Sequence, residues 1–204
     1  MLAAVIEGPG AVVVRDTAPP RAAGLALVRV TQAGICGTDR TLAAGGIAVR
    51  PPRVLGHEMT GRVEVPAAGG AVPAGTPVVV NPAAFCGACR ECRRGLPNLC
   101  ARGGLLGRDL DGGFAEHVAV PESLLHPLPV GITADEAYLK ELTIRCPRAS
   151  RPADFDAAIG LCAERRVALA PLITGRFPLG EVAQALPASE RPEHLKIVLD
   201  VAGP

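Results

Sequence analysis

The chain has 204 residues, 49% of them hydrophobic, which is enough to bury the core of one sizeable domain. Its 21 basic and 20 acidic residues are mixed along the chain and leave a net charge of +1, so there is no electrostatic case for nucleic acid or an anionic membrane as partner. Aromatic residues are only 2% and Trp is absent, while 24 Gly and 20 Pro favour a turn-rich β fold over a helical bundle.

The first residues, Met1 to Glu7, carry no basic region and only a short apolar run, unlike a signal peptide. No stretch approaches the roughly 18 apolar residues of a membrane span, so a cytoplasmic location is expected. Short strands follow in chain order: Ala11–Val14, Leu25–Val30, Gly61–Val65, Pro77–Val80 and Phe114–Val120. Between them stand turn pairs such as Pro19-Pro20, Gly45-Gly46 and Gly69-Gly70, the pattern of a barrel or sandwich. Thr133-Ala134-Asp135-Glu136 is a capping box that announces a helix. The helix has little room, because Leu142-Thr143-Ile144 already reads as a strand, so the chain has a seam near 137/138. Beyond it, Pro152–Arg166 reads as a helix with Phe155, Ala158, Ile159 and Cys162 at helical spacing. A shorter helix is expected over Glu181–Leu186 and a closing strand over Leu195–Leu199.

Four of the seven cysteines crowd into one segment, Cys86, Cys89, Cys92 and Cys100, with spacing C-x2-C-x2-C-x7-C. In a cytosolic chain such a cluster points to a metal before disulfides. Zn²⁺ favours four ligands in a tetrahedron, and a closed all-thiolate site leaves no position for water, so this site is structural. Gly87 and Gly95 supply the tight turns, and Arg90, Arg93 and Arg94 are expected to offset thiolate charge.

Two motifs precede the cluster: Gly34-Ile35-Cys36-Gly37-Thr38-Asp39 and Gly56-His57-Glu58. Cys36 and His57 could bind a second zinc, Asp39 could fix the tautomer of His57, and Thr38 could pass a proton from a metal-bound alcohol. Taken singly, each signal is weak: a lone Cys is usually packing, and a lone His is usually a satisfied core residue. Their order is more informative. C-G-T-D, then G-H-E, then the four-cysteine segment resembles the zinc-dependent medium-chain alcohol dehydrogenase/reductase family. Asp111–Glu116, Leu128-Pro129, Ile132–Ala137, Lys140–Arg145, Pro171–Thr174 and Leu195–Leu199 extend the likeness over nearly the whole chain.

The resemblance implies a mainly β fold with some helix (α+β): a GroES-like, partly open β-barrel with a zinc lobe at 82–104 and C-terminal helices. It implies a catalytic domain over 1–137 and a return segment of that domain over 138–204. It implies oxidation of a small alcohol, polyol or sugar with NAD(P)⁺ and Zn²⁺. Carried over by position, Cys36, His57 and Glu58 correspond to catalytic-metal ligands, Thr38 to the proton relay and Asp39 to the partner of the histidine. Thr41 stands where the family often has a second relay group. The family's Rossmann domain has no counterpart between Ala137 and Tyr138. Gly103–Gly107 is glycine-rich but lacks the preceding strand and following helix of a dinucleotide turn, so it reads as a loop and no cofactor-binding residue is expected. The stretch that usually brings a third ligand is also absent, which leaves Glu58 to serve. Two other functions stay open at this point: a non-redox zinc enzyme such as a lyase or hydratase, and a zinc-stabilised interaction module. An apolar face near Ala137, Tyr138, Leu139 and Leu142 suggests self-association or a partner.

Overall fold

A computed structural model describes residues 1–128 and 152–202. Its organising element is the strand β3 (Ala26–Ile35), because three others pair with it. The earlier strands β1 (Leu2–Gly8) and β2 (Ala11–Asp16) form an antiparallel hairpin. That hairpin is joined by the two-residue β4 (Arg53–Val54) in a small sheet of order β2-β1-β4. Along one flank β3 pairs antiparallel with β5 (Glu58–Val65), which pairs with β6 (Pro77–Val80). The outermost strand there is β10 (Leu125–Pro127). The other flank is divided. Residues 26–29 of β3 pair with β9 (His117–Val120), and residues 32–35 pair with β12 (Lys196–Asp200). The edge strand β11 (Ile173–Pro178) then lies parallel to β12. Among the described residues this pairing does not close into a ring, as expected of a partly open barrel. The two-stranded β7 (Ala83–Ala84) and β8 (Gly104–Leu105) pair at the base of the cysteine segment.

Alternation explains which side chains go inside. In β3, Ala26, Val28 and Val30 are buried while Arg29 faces out; in β6, Val78 and Val80 point inward. These residues, with Ile6, Met59, Val63, Phe114, Leu124 and Leu199, build the main core. The helix α3 (Pro152–Ala163) buries Phe155, Ile159 and Cys162. Phe155 stacks on His126 of β10 at a centroid distance of 4.9 Å, and Asp156 Oδ1 accepts from His126 Nδ1 at 2.9 Å. The helix α4 (Val182–Ala188) bridges the parallel strands β11 and β12, as a parallel connection requires.

Within the described residues each expected strand is found, Pro77–Val80 with its expected bounds and the others with altered ones. Phe114–Val120 is regular only from His117, because Ala115 makes an isolated bridge to Ala3. The closing strand is shifted by one residue, to Lys196–Asp200. The C-terminal helices span Pro152–Ala163 and Val182–Ala188, close to the expected ranges. Gly103–Gly107 is a loop carrying the short β8 and no helix follows it directly. The strand β1 and the helix α1 (Gly37–Ala43) were not signalled by periodicity. The capping box at Thr133–Glu136, the strand pattern at Leu142–Ile144, the 137/138 seam and the apolar face at Ala137, Tyr138, Leu139 and Leu142 lie outside the described residues.

Gly56 shows how the core constrains the site. Its φ is +91°, and a Cβ added there would run into the ring and backbone nitrogen of the buried Phe114. The conformation is costly for any residue with a side chain, and it aims His57 inward. Gly56→Ala is expected to cost about 1–3 kcal/mol in backbone strain before any repacking of Phe114. Urea unfolding should show this as a lowered midpoint at unchanged slope.

Candidate metal centres

Cys86, Cys89, Cys92 and Cys100 converge between β7 and β8, which act as the clasp of a loop. Gly87 and Gly95 both take positive φ, 69° and 75°, and make the turns that the two-residue spacings need. The helix α2 (Arg90–Arg93) is capped by Cys89, whose sulfur accepts from the Cys92 N–H. Sulfur separations are 3.4 Å for Cys89–Cys92, 3.5 Å for Cys86–Cys100 and 3.8 Å for Cys89–Cys100. A tetrahedral ion with bonds of about 2.3 Å to sulfur needs sulfurs at roughly this spacing, so the donor set fits Zn²⁺ without rearrangement. The electrostatics agree. The backbone N–H of Ala88, sulfur contacts and Arg102 lower Cys86 to about 6. Backbone N–H donation from Cys92 lowers Cys89 as well. Loss of water and its neighbouring sulfurs push Cys92 up to about 11. Crowded thiolates retain a proton in this way until a cation arrives. The guanidinium on the sulfurs belongs to Arg102, whose Nη2 lies 3.4 Å from Cys86 Sγ. Arg90, Arg93 and Arg94 are exposed.

The second constellation is assembled from distant parts of the chain. Cys36 ends β3 and is the N-cap of α1. Asp39, fully buried in the first turn of that helix, accepts from the Cys36 backbone N–H through Oδ2 at 2.9 Å. Its other oxygen meets His57 Nδ1 at 3.1 Å. Nδ1 is thereby committed, which leaves Nε2 as the free ring nitrogen. Cys36, His57 and Glu58 each offer a donor atom within 4.8 Å of the others. Thr38 Oγ1 lies 3.9 Å from Cys36 Sγ. Thr41 is exposed and donates to Gly37 O at 2.9 Å, so it is spent on its own helix. The soft thiolate, imidazole and carboxylate form a reasonable zinc donor set. Burial opposes ionisation of Cys36, but its hydrogen bond to His57 prevails and the thiol lies below its ordinary value. Burial alone would depress His57; the hydrogen bond and charge of Asp39 override it and raise it to about 11.

Residues 22–130 match the family described as the alcohol dehydrogenase GroES-like domain. The chain belongs to that family. It is 35% identical over 145 residues to the starvation-sensing protein RspB of Escherichia coli, covering 69% of this chain and 42% of RspB. It is 41% identical over 118 residues to the probable alcohol dehydrogenase AdhA of Mycobacterium tuberculosis, covering 54% and 34%. With the L-threonine 3-dehydrogenase of Pyrococcus horikoshii it shares 33% over 139 residues, covering 66% and 40%. The chain thus spans well under half the length of these curated relatives. Among solved structures, the alcohol dehydrogenase TADH from Thermus sp. ATN1 superposes with a TM-score of 0.86 at 23% identity, over 99% of this chain and 100% of that one. Galactitol-1-phosphate dehydrogenase from Escherichia coli gives 0.63 at 28% identity, over 69% and 42%.

The structure brings Cys36, His57 and Glu58 within reach of one another, sets Asp39 on His57 and Thr38 beside Cys36, and gathers the four cysteines of the lobe. Two side chains were missed. Arg102 stands beside Cys86, where only its nearness to Cys100 in sequence hinted at a role. Lys196 binds Glu58 Oε2 at 2.5 Å across 138 residues of chain, and no local pattern could have announced it. Among the described residues no helix is long and apolar enough to cross a membrane.

Two outcomes are expected. Cys89→Ser should lower the zinc content by one ion per chain and loosen the lobe, as read by elemental analysis and by proteolysis between residues 82 and 104. In metal-free protein, His57 has a folded pKa above its unfolded value near 6.5. The His57–Asp39 pair therefore contributes stability that is complete below pH 6.5 and lost as pH rises toward 11. Asp39→Asn should flatten that part of the pH profile of urea midpoints.

Proposed function

We propose that this chain is the zinc-holding, substrate-facing part of an oxidoreductase for a small alcohol, polyol or sugar, with a structural zinc on Cys86, Cys89, Cys92 and Cys100 and a catalytic zinc on Cys36, His57 and Glu58. The observation that carries the reading is the Asp39 bridge. A fully buried carboxylate that ties the Cys36 backbone to His57 Nδ1 orients two donors toward one point and has no comparable use as mere packing. A zinc ion bound there would supply Lewis acidity, stabilising an alkoxide as hydride leaves. The side chains do the remaining work. Asp39 keeps the Nε2 of His57 directed at the site. Thr38, beside Cys36, is placed to take the alcohol proton and hand it to water, because Thr41 is engaged elsewhere. The contact with His57 favours the thiolate form of Cys36.

NAD(P)⁺ is the hydride acceptor expected from the family, yet the 204 residues contain no dinucleotide turn between a strand and a helix. We therefore propose that the chain does not turn over alone and that its nucleotide partner surface, or a second copy, covers the open side of the site. Residence in the cytoplasm belongs to the same proposal, since the reading requires reduced thiols. No feature of the geometry favours a lyase, a hydratase or a pure interaction module.

Zinc-reconstituted protein should bind two ions per chain. A graded chelator should remove the Cys36–His57–Glu58 ion first, because three mixed ligands hold it against four thiolates. Calorimetric titration with NAD⁺ or NADP⁺ should give no heat of binding. A single ion per chain, or simultaneous loss of both, would sink the catalytic-metal reading. Micromolar nucleotide binding would sink the incomplete-enzyme reading.

A further inference from the structure

The sheet places three chemically active side chains at one end of adjacent strands. In the β3–β5 register Glu58 lies opposite Gly34, and in the β3–β12 register Ile197 lies opposite Ile35. Cys36 follows directly on β3, and Lys196 precedes Ile197 on β12. Cys36, Glu58 and Lys196 therefore meet where β3, β5 and β12 run side by side. Lys196 Nζ and Glu58 Oε2 form an ion pair at 2.5 Å, with the two side chains only 19% and 31% exposed. Beside them a cavity of about 140 Å³ is lined by Cys36, Arg40, His194 and Lys196 among others. This wall of the site is rich in cationic groups, an unusual surrounding for a place that must attract a dication.

We infer that Lys196 is a positioning residue that withholds Oε2 of Glu58 from a metal seated on Cys36, His57 and the other carboxylate oxygen, keeping the fourth coordination position open for substrate. The inference rests on the catalytic-metal reading above. An ammonium on a ligand carboxylate acts twice in the same direction. It occupies an oxygen lone pair that the metal would use, and it places a positive charge near a second, larger one. Half-shielded from water, both effects are weakly screened. A catalytic zinc needs an open position beside three protein ligands; one oxygen of Glu58 completes the three, whereas a carboxylate giving both oxygens would fill the fourth position as well. Lys196 is thus the internal competitor for Glu58: it makes the carboxylate available without letting it close the site. The charge is supplied by a strand that joins the site last in sequence, so the pair also couples the C-terminal segment to the metal.

The test uses the full chain loaded with Co²⁺, whose visible bands report coordination number. In Lys196→Met, cobalt at Cys36–His57–Glu58 should be held more tightly, by about tenfold in chelator competition, a change of the size that outer partners of metal ligands produce. Its d–d bands should weaken as the second oxygen of Glu58 joins the sphere. Lys196→Arg should restore the wild-type affinity and spectrum. In a Glu58→Gln background, Lys196→Met should lose most of its effect, the coupling expected of a direct pair. The thiolate-to-cobalt bands of the four-cysteine lobe should stay unchanged throughout and report an intact fold. Lys196→Gln carries the same expectation as Lys196→Met if the latter does not fold. Weaker or unchanged cobalt binding on loss of the ammonium, with two ions bound in the wild type, overturns the role of Lys196 alone. A wild-type chain that takes up only the four-cysteine ion overturns both this inference and the reading beneath it.

Discussion

A carboxylate sealed from solvent has to find a donor for each oxygen inside the protein, or it will not stay ionised. Asp39 meets this condition with the backbone N–H that ends β3 and with the ring of His57 that precedes β5. The two bonds fasten the start of α1, the end of the central strand and the Gly56 turn to one another. The turn is in turn held by Phe114, which fills the space that any side chain at position 56 would need. Core packing and site geometry are the same set of contacts here. The orientation of Cys36 and His57 follows from how the sheet packs around the buried Asp39 carboxylate.

The two candidate centres differ in how much of the fold they require. The four cysteines lie within one loop, clasped by β7 and β8, and their geometry is set by neighbouring turns. Such a site is readable from spacing, because the chain between ligands is too short to go elsewhere. Cys36, His57 and Glu58 come together only through the pairing of β3 with β5. In sequence they are two unremarkable motifs about 20 residues apart, and only their resemblance to a family joins them. Lys196 lies further still beyond the reach of local patterns: its partner is set by the register of β12 on β3.

The same reasoning explains what was legible in the fold. Pro77–Val80 matched the observed strand residue for residue because alternation, a leading Pro and flanking turns all agree there. The strand β1 was missed because Ala3, Ala4, Val5 and Ile6 are all buried, one face in the main core and the other in a smaller cluster with Val54 and Ala115, so the alternation that marks a half-exposed strand is absent. The helix α1 was hidden inside a motif read for its chemistry, with a Cys in the N-cap position and a buried Asp as its first-turn acid. Charge was the least legible level. Arg102, rather than the three arginines that flank the cysteines more closely, reaches the thiolates, because side-chain reach depends on the loop's path and not on distance along the chain.

The place of β12 has a consequence in time. This strand sits between β3 and β11, yet it is drawn from residues 196–200. The ribosome adds 96 residues from Cys100 to Lys196, which at roughly 5–20 residues per second takes on the order of 5–20 s. Through that interval β3 has β5 for a neighbour along residues 32–34 but still lacks β12 on its other side. Glu58 therefore meets its ammonium only when the sheet is complete. Vectorial synthesis thus makes the Glu58–Lys196 pair a late event, later than the strands that bring Cys36 to Glu58.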